Sequence, residues 1–461
     1  MSHRVSKLML TVLWMALMST LSEAQSTAGG DLAHPAAQDR PPLRLSLKEA
    51  VDMALATKGN VRVQLAEEMI HQAQARSAQA RAALLPNVEA SVSEQNLTRN
   101  LRAFGIRIDI PVPGFMMPEL VGPFNVFDAR ATLNQSIFDL SSIRRFQASR
   151  VGIEAAQAES ENAQDQVAGQ VAAFYLMALR AEANLEAARA NVELAEALLK
   201  LANDQKAAGT GMAIEVTRAQ VQLANEQQRH LIAENERRRA HLQLLKVMGL
   251  TLDTPLELTD KLAYIPGDAV AIEHAMTVAL QSRADFKAQQ QRKEGARLNH
   301  TATALERVPS VVGFADYGSI GLGINNAIPT RTYGFAVRLP VFDGGRRDAR
   351  RAETLSQLQQ ERIKTNDLRQ QIELEIRLAL DSLRSAEAQV RVAQEGLELA
   401  ERELAQARRR YEAGITSSIE VTDAQARLER ARENQINALF GYNLARISLG
   451  QAMGTVRRMI Q

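Results

Sequence analysis

Ala208-Gly209-Thr210-Gly211-Met212-Ala213-Ile214-Glu215-Val216-Thr217-Arg218-Ala219-Gln220 is answered 205 residues later by Ala413-Gly414-Ile415-Thr416-Ser417-Ser418-Ile419-Glu420-Val421-Thr422-Asp423-Ala424-Gln425. Ile-Glu-Val-Thr and Ala-Gln stand in register, Gly209 recurs as Gly414, and further on Met248-Gly249 recurs as Met453-Gly454. A period this long is no small solenoid unit; it is half of a protein, duplicated.

Upstream of the second copy, Ile372, Ile376, Ala379, Leu383, Ala386, Val390, Ala393, Leu397, Ala400, Leu404, Ala407 and Tyr411 step by four and three without a break. The positions 205 earlier run Val167, Val171, Phe174, Ala178, Ala181, Leu185, Ala188, Val192, Ala195, Leu199, Ala202 and Lys206, and only the last breaks the pattern. An unbroken 3.5-residue repeat describes a helix wrapped against neighbours along its whole length. Helices are expected at about 140–208 and 345–413, with return helices at about 212–250 and 417–455. The longer ones would reach about 100 Å at 1.5 Å per residue, more than any globular core requires.

Proline placement agrees. None lies between Pro123 and Pro255, and none follows Pro340, whereas proline inside a helix costs about 3 kcal/mol. Ser46-Leu47-Lys48-Glu49 has the spacing of a capping box and opens a helix expected from Ser46 to about Leu84, ended by Pro86. Its counterpart is expected from about Ala271 to Arg307, ended by Pro309. Between these helices and the rods lie alternating segments. Phe127, Ala129, Ala131 and Leu133 alternate with Asp128, Arg130, Thr132 and Asn134; Tyr333, Phe335, Val337 and Leu339 alternate with Gly334, Ala336 and Arg338. Val88, Ala90 and Val92 repeat the pattern more weakly, and 311–317 is the least regular. Period two means strand. Strands are expected at about 86–97, 126–137, 309–318 and 332–342. The first repeat then spans 44–255 and the second 269–461, joined by a linker at 256–268.

The N-terminus reads as a secretory signal. Arg4 and Lys7 precede an apolar run from Leu8 to Leu21, and Ser22-Glu23-Ala24 offers a cleavage site. The run is short for a spanning helix, which needs about 20 residues. A signal peptide at 1–24 and a flexible leader at 25–43 are therefore expected. The chain has no cysteine, which excludes a disulfide framework and a lipid-bearing cysteine after the signal. Aromatic residues make up 4% and hydrophobic residues 46%; such Ala-, Leu- and Val-rich material suits close helix contact. The net charge of +2 and the lack of a basic segment with aromatics give no reason to expect nucleic acid.

The strand pattern by itself fits a small soluble sheet as well as a membrane barrel. Four strands cannot close on themselves, and an open edge in lipid leaves backbone groups unpaired. A barrel reading therefore requires closure by further copies.

The chain resembles the TolC-type outer-membrane efflux proteins over nearly its whole mature length. The resemblance rests on Leu47 to Leu55, on Pro86 and Pro309, on the junctions Ile137-Phe138-Asp139 and Val341-Phe342-Asp343-Gly344-Gly345, and on the two tip segments quoted above. It implies an α+β membrane protein in which three chains close a twelve-stranded barrel, continued through the periplasm by an α-helical barrel. It also implies a passive duct of a tripartite efflux system, with a periplasmic adaptor and an inner-membrane pump as partners. The same architecture serving type I protein secretion stays open, as does an exported coiled-coil scaffold without a pore.

Under that resemblance Glu420 and Asp423 match two acidic residues that ring the periplasmic constriction. They are three apart and share a helix face, although acids are favoured in any first helical turn. The matching positions in the first copy are Glu215 and Arg218. Tyr411 matches a tyrosine that hydrogen-bonds an acidic residue on the neighbouring tip, here Glu215, and Thr416 stands where the family carries an arginine. Gly209, Thr210, Gly211, Gly414, Ile415 and Thr416 are the candidate adaptor-docking positions; the glycines alone fit ordinary helix caps. No catalytic or metal constellation is found, so neither enzyme activity nor a cofactor is expected. His230 and His241 are eleven apart, which is not ligand spacing. Asp128, Arg130 and Arg338 give the polar strand face a mixed charge.

Overall fold

The computed structural model describes residues 41–56, 59–105, 119–266 and 270–460. The signal peptide and most of the leader expected from the sequence lie outside these residues. From Arg44 onward the chain forms one compact unit. Its elements are β1 (Leu43–Leu45), α1 (Leu47–Leu55), α2 (Val61–Ala82), β2 (Asn87–Asn100), β3 (Leu120–Phe138), α3 (Leu140–Ala207), α4 (Ala213–Met248), β4 (Leu256–Leu258), α5 (Ile272–Ser282), α6 (Ala284–Leu305), β5 (Ser310–Gly321), β6 (Ile328–Arg338), α7 (Arg346–Glu412), α8 (Ser418–Ala452) and α9 (Val456–Ile460).

The heptad positions make the rods. Ile372 and Ile376 are fully buried, and Ala379, Ala386, Val390, Ala400, Leu404, Ala407 and Tyr411 are buried along the same line of α7. Each isoleucine removed from water contributes about 1.5–3 kcal/mol. Helix α3 contacts α2, α4, α6 and α8, whereas α7 has α6 and α8 on its inner side. The wall therefore runs α4–α3–α8–α7, with α2–α3–α6–α7 nearer the strands. α3 buries several sides, including Ala172, Tyr175 and Leu179; α7, at the edge, buries little beyond its seam.

The sheet is antiparallel throughout, in the order β2–β3–β5–β6. Its register collects the alternating residues onto two faces. Val88 lies opposite Leu133, Ala90 opposite Ala131 and Val92 opposite Ala129. Ala131 lies opposite Tyr317 and Leu133 opposite Ala315, and Ala315 opposite Tyr333. One face is thus apolar across all four strands, and Tyr333 and Phe335 on it are each 78% exposed. The other face carries Asp128, Arg130, Thr132, Asp316 and Thr332, and Arg130 bridges Asp128 at 2.8 Å and Asp316 at 3.3 Å. Away from the rods the strands outrun the alternation: β3 begins at Leu120, and β5 and β6 extend to Gly321 and from Ile328. At its other end β6 stops at Arg338, short of the expected 342 and just before Pro340, which has no N–H to give the ladder. Backbone ladders continue where the side-chain pattern has faded, pairing Asn100 with Leu120 and Ile320 with Ile328.

Each opening helix, expected to be continuous, is broken. The first stops at Leu55 and resumes at Val61; the second is interrupted at Arg283. The cause is tertiary and occurs in both halves. Asn60 caps α2 by accepting from the Arg62 amide at 2.8 Å, and its Nδ2 donates to the Val247 carbonyl at 2.7 Å. Arg283 precedes α6, and its Nη1 donates to the Ala452 carbonyl at 3.1 Å. Residues 247 and 452 are equivalent under the 205-residue repeat. The glycines that follow them end the return helices in left-handed conformation, with φ of 75° at Gly249 and 67° at Gly454. Each break docks onto one of these helix ends so closely that a Cβ on Gly249 would lie 2.2 Å from the Gly59 carbonyl oxygen, and one on Gly454 2.9 Å from the Arg283 Cα. This contact is why Met-Gly survives in both copies.

Gly249→Ala and Gly454→Ala are each expected to destabilise the protein by more than about 1 kcal/mol, through positive φ and backbone overlap. Gly396→Ala, at an exposed helical site where an added Cβ meets nothing within 4 Å, is expected to be neutral or to stabilise by about 0.5–1 kcal/mol. Thermal unfolding measures all three.

Candidate functional site at the helical tips

The two tips are built alike. α3 ends through Gly209 (φ 78°), and the amides of Thr210 and Gly211 both donate to the Gln205 carbonyl at 3.0 Å. α7 ends through Gly414 (φ 72°), and the Ile415 amide donates to the Arg410 carbonyl at 3.0 Å. Both turns satisfy carbonyls that the helix ends would leave unpaired. Their outer surface is apolar: Met212 is 70% and Ile415 71% exposed, with Ile214 and Ile419 about half exposed beside them.

The two acidic positions of the second tip differ in their surroundings. Glu420 is held within its own hairpin by Arg410 at 2.9 Å and by the hydroxyl of Thr416, which donates to its carboxylate. Both partners of the ion pair are substantially exposed, so the pair adds little stability; its effect is to fix the direction of the carboxylate. Asp423 is exposed and has no partner among the described residues. Thr416 thus engages the acid directly, from the position where the resemblance would place an arginine.

Tyr411 and Glu215 are brought to one small cavity of 30 Å³ in the middle of the four tip helices. Burial first, and the nearby Glu215 carboxylate second, hold the Tyr411 phenol above its usual range. No hydrogen bond of ordinary geometry joins them, however, and the Tyr411 hydroxyl is buried without a partner. The lock expected between two tips is in this chain a near approach between its own two hairpins. Tyr411 is otherwise held by packing, in a cluster with Ala407, Val421, Ala424 and Leu428 that Leu194, Leu198 and Leu201 of α3 flank.

Three participants escape a sequence reading. Arg410 is one of three consecutive arginines with nothing to distinguish it. Gln425 is buried although its repeat partner Gln220 is exposed. Glu226 is 1% exposed in the seam of α4, seven residues before Ala233 and fourteen before Ala240; a glutamate in an apolar heptad was the available signal. Its Oε1 accepts from Gln222 at 2.6 Å and Arg229 at 3.3 Å, while Oε2 is unpaired. Arg229 also bridges to Glu429 on α8, and Arg432 bonds Asn191 at 2.9 Å. Burial, and after it the Glu429 charge, raise the Glu226 carboxyl above its ordinary value of 4.5.

Among the described residues no group of acids, histidines or cysteines could hold a metal ion, and no helix is long and apolar enough to cross a membrane. The family model for outer membrane efflux proteins matches residues 51–250 and 275–455. The chain belongs to that family: it is a TolC-like, non-enzymatic efflux channel of the outer membrane that extends into the periplasm. The pyoverdine export outer membrane protein OpmQ of Pseudomonas putida is 23% identical over 393 residues, covering 84% of this chain and 81% of its own length. Among solved structures, the CmeC outer membrane channel of Campylobacter jejuni aligns with a TM-score of 0.75 at 19% identity, over 89% of this chain and 86% of that one. The open state of the MtrE outer membrane channel of Neisseria gonorrhoeae aligns at 0.71 with 17% identity, over 90% of each chain. These structural likenesses establish the fold.

A carboxyl whose folded pKa is raised favours the folded state below its ordinary value and loses that contribution as pH climbs through the raised one. Glu226→Gln is therefore expected to raise the thermal midpoint by a few degrees at neutral pH. The gain should shrink as pH falls toward 4.5. Melting curves across that range check the sign.

Proposed function

We propose that three copies of the chain form the passive exit duct of a tripartite efflux system, closed at the helical tips when idle. The observation that carries this reading is the unfinished edge of the single-chain wall. Among the described residues β2 and β6 each lack a neighbour on one side, which lipid does not tolerate. On α7, Leu378, Val392 and Leu399, 14 and 7 residues apart at one heptad position outside the buried seam, are exposed. On the other edge, α2 exposes Val61, Leu65 and Met69, and α4 exposes Val221, Leu231 and Ile232. Joining one edge to the other by a repeated rotation closes a ring, and four strands from each of three chains make a barrel of ordinary size.

In such a ring Glu420 and Asp423 converge from three tips. Like charges at close range repel, so closure is favoured by cations and opposed by ionisation. The apolar tip ends, with Gly209, Thr210, Gly211, Gly414, Ile415 and Thr416 around them, offer a docking surface for a periplasmic adaptor, and an inner-membrane pump supplies the energy. Small-molecule efflux is favoured over protein secretion because the relative OpmQ is named for export of pyoverdine.

Val392→Arg is expected to prevent oligomer formation, leaving a monomer on size exclusion; an unchanged oligomer would reject the edge assignment. In planar bilayers the protein should conduct, and Ca²⁺ or Mg²⁺ on the periplasmic side should block it. The block should be lost in Glu420→Gln/Asp423→Asn, and a block that persists there would remove these two acids from the gate.

A further inference from the structure

Nine buried side-chain polar atoms among the described residues have no hydrogen-bond partner, and four of them border one space. These are the Tyr411 hydroxyl, the Ser418 Oγ, and both the Nε2 and Oε1 of Gln425. Gln425 is 2% and Tyr411 4% exposed. Folded proteins leave few such groups unpaired, so their concentration at the 30 Å³ tip cavity calls for a ligand.

The chemistry of the lining identifies it. The Gln425 amide offers two donors and an acceptor, and the two hydroxyls can do either. Glu215 and Arg218 border the same space with opposite charges; the arginine disfavours a cation and the carboxylate an anion. The cavity exceeds the about 10–15 Å³ that a water requires, and a buried water seeks two to four polar partners. We propose that this cavity binds one structural water, hydrogen-bonded to Tyr411, Ser418 and Gln425, which makes the centre of the tip a wet joint between the two hairpins.

The joint does not stand alone. Gln222, on its rim, donates to the buried Glu226, and Arg229 carries the polar track from Glu226 to Glu429 of the other hairpin. Leu194, Leu198 and Leu201 of the first hairpin pack on the Tyr411 cluster of the second, and this polar track runs beside that apolar contact. Bonds to a water can be exchanged during a small displacement, whereas a dry interface must first be opened. The mechanical role rests on the tips being the moving part; the hydration itself does not.

Gln425→Met tests the hydration by sign. With a bound water, methionine removes a satisfied amide and strands Tyr411 and Ser418, so the midpoint of thermal unfolding falls by about 2 °C or more. With a dry cavity, methionine replaces an unpaired amide by an apolar chain of similar shape, and the midpoint rises or stays level, which overturns the proposal. A crystal structure of the unaltered protein, at a resolution that shows ordered water, gives the second reading. Density within hydrogen-bond distance of Gln425 and Tyr411 is expected, and an empty cavity there overturns the proposal whatever the variant does. Neither measurement depends on conductance, so the gate can fail while the water site stands, or the reverse.

Discussion

Backbone amides and carbonyls must find partners, and in hydrocarbon they find them only in one another. That constraint organises this chain from the sheet outward. Among the described residues, four strands pair fully with each other and leave β2 and β6 open on one side. The helices repeat the same incompleteness with side chains in place of peptide groups: α7 is buried along its seam and exposes Leu378, Val392 and Leu399 outside it. Sheet and helices therefore run out of partners at the same two edges. A scaffold complete in one chain would show neither edge, which is why the wall reads as a segment of a larger closed structure.

Duplication builds such a wall cheaply, because two copies need the same internal joint. That joint is the docking of each broken opening helix on the glycine end of its return helix, made by Asn60 against Val247 in one half and Arg283 against Ala452 in the other. The partner residues differ in kind, yet the carbonyls they satisfy are equivalent. The second joint is reinforced further, since Arg283 also holds Asp285 and Glu375. What the two joints share is a geometry, a chain crossing close above a left-handed glycine, reached with two different donors.

What was legible in the sequence follows from this. The rods, their tips and the two-faced strands are periodic features, and periodicity survives without knowledge of the partner. Seam positions from Ile372 to Tyr411 are all buried or half-buried. The break before Val61 carried a signal that was overlooked, since Gly59-Asn60 is a helix stop followed by a capping residue; the break at Arg283 had no such signal, and a distant carbonyl decides it. The strand ends were misjudged for a related reason: pairing such as Asn100 with Leu120 depends on the ladder and not on alternation. At the tips, the positions of Glu420 and Thr416 could be read, but their direct hydrogen bond could not. Nor could the inward turn of Gln425, since the identical Ala-Gln of the first copy points its glutamine to solvent.

That last contrast shows how two copies of one hairpin come to differ. Two identical hairpins would pack symmetrically and have no preferred direction of movement. Here the first copy contributes Glu215 and Arg218 to the shared cavity, and the second contributes Tyr411, Ser418 and Gln425. The second hairpin also ties its own acid down, through Arg410 and Thr416, leaving the bond network inside that hairpin largely independent of its neighbour. That hairpin packs by Leu404, Ala407 and Val421 in a cluster that Leu194, Leu198 and Leu201 of the first hairpin flank, so apolar and polar contacts both join the two. The two tips thus share a backbone design, with a left-handed glycine at Gly209 and Gly414, while the side chains they bring to the cavity differ.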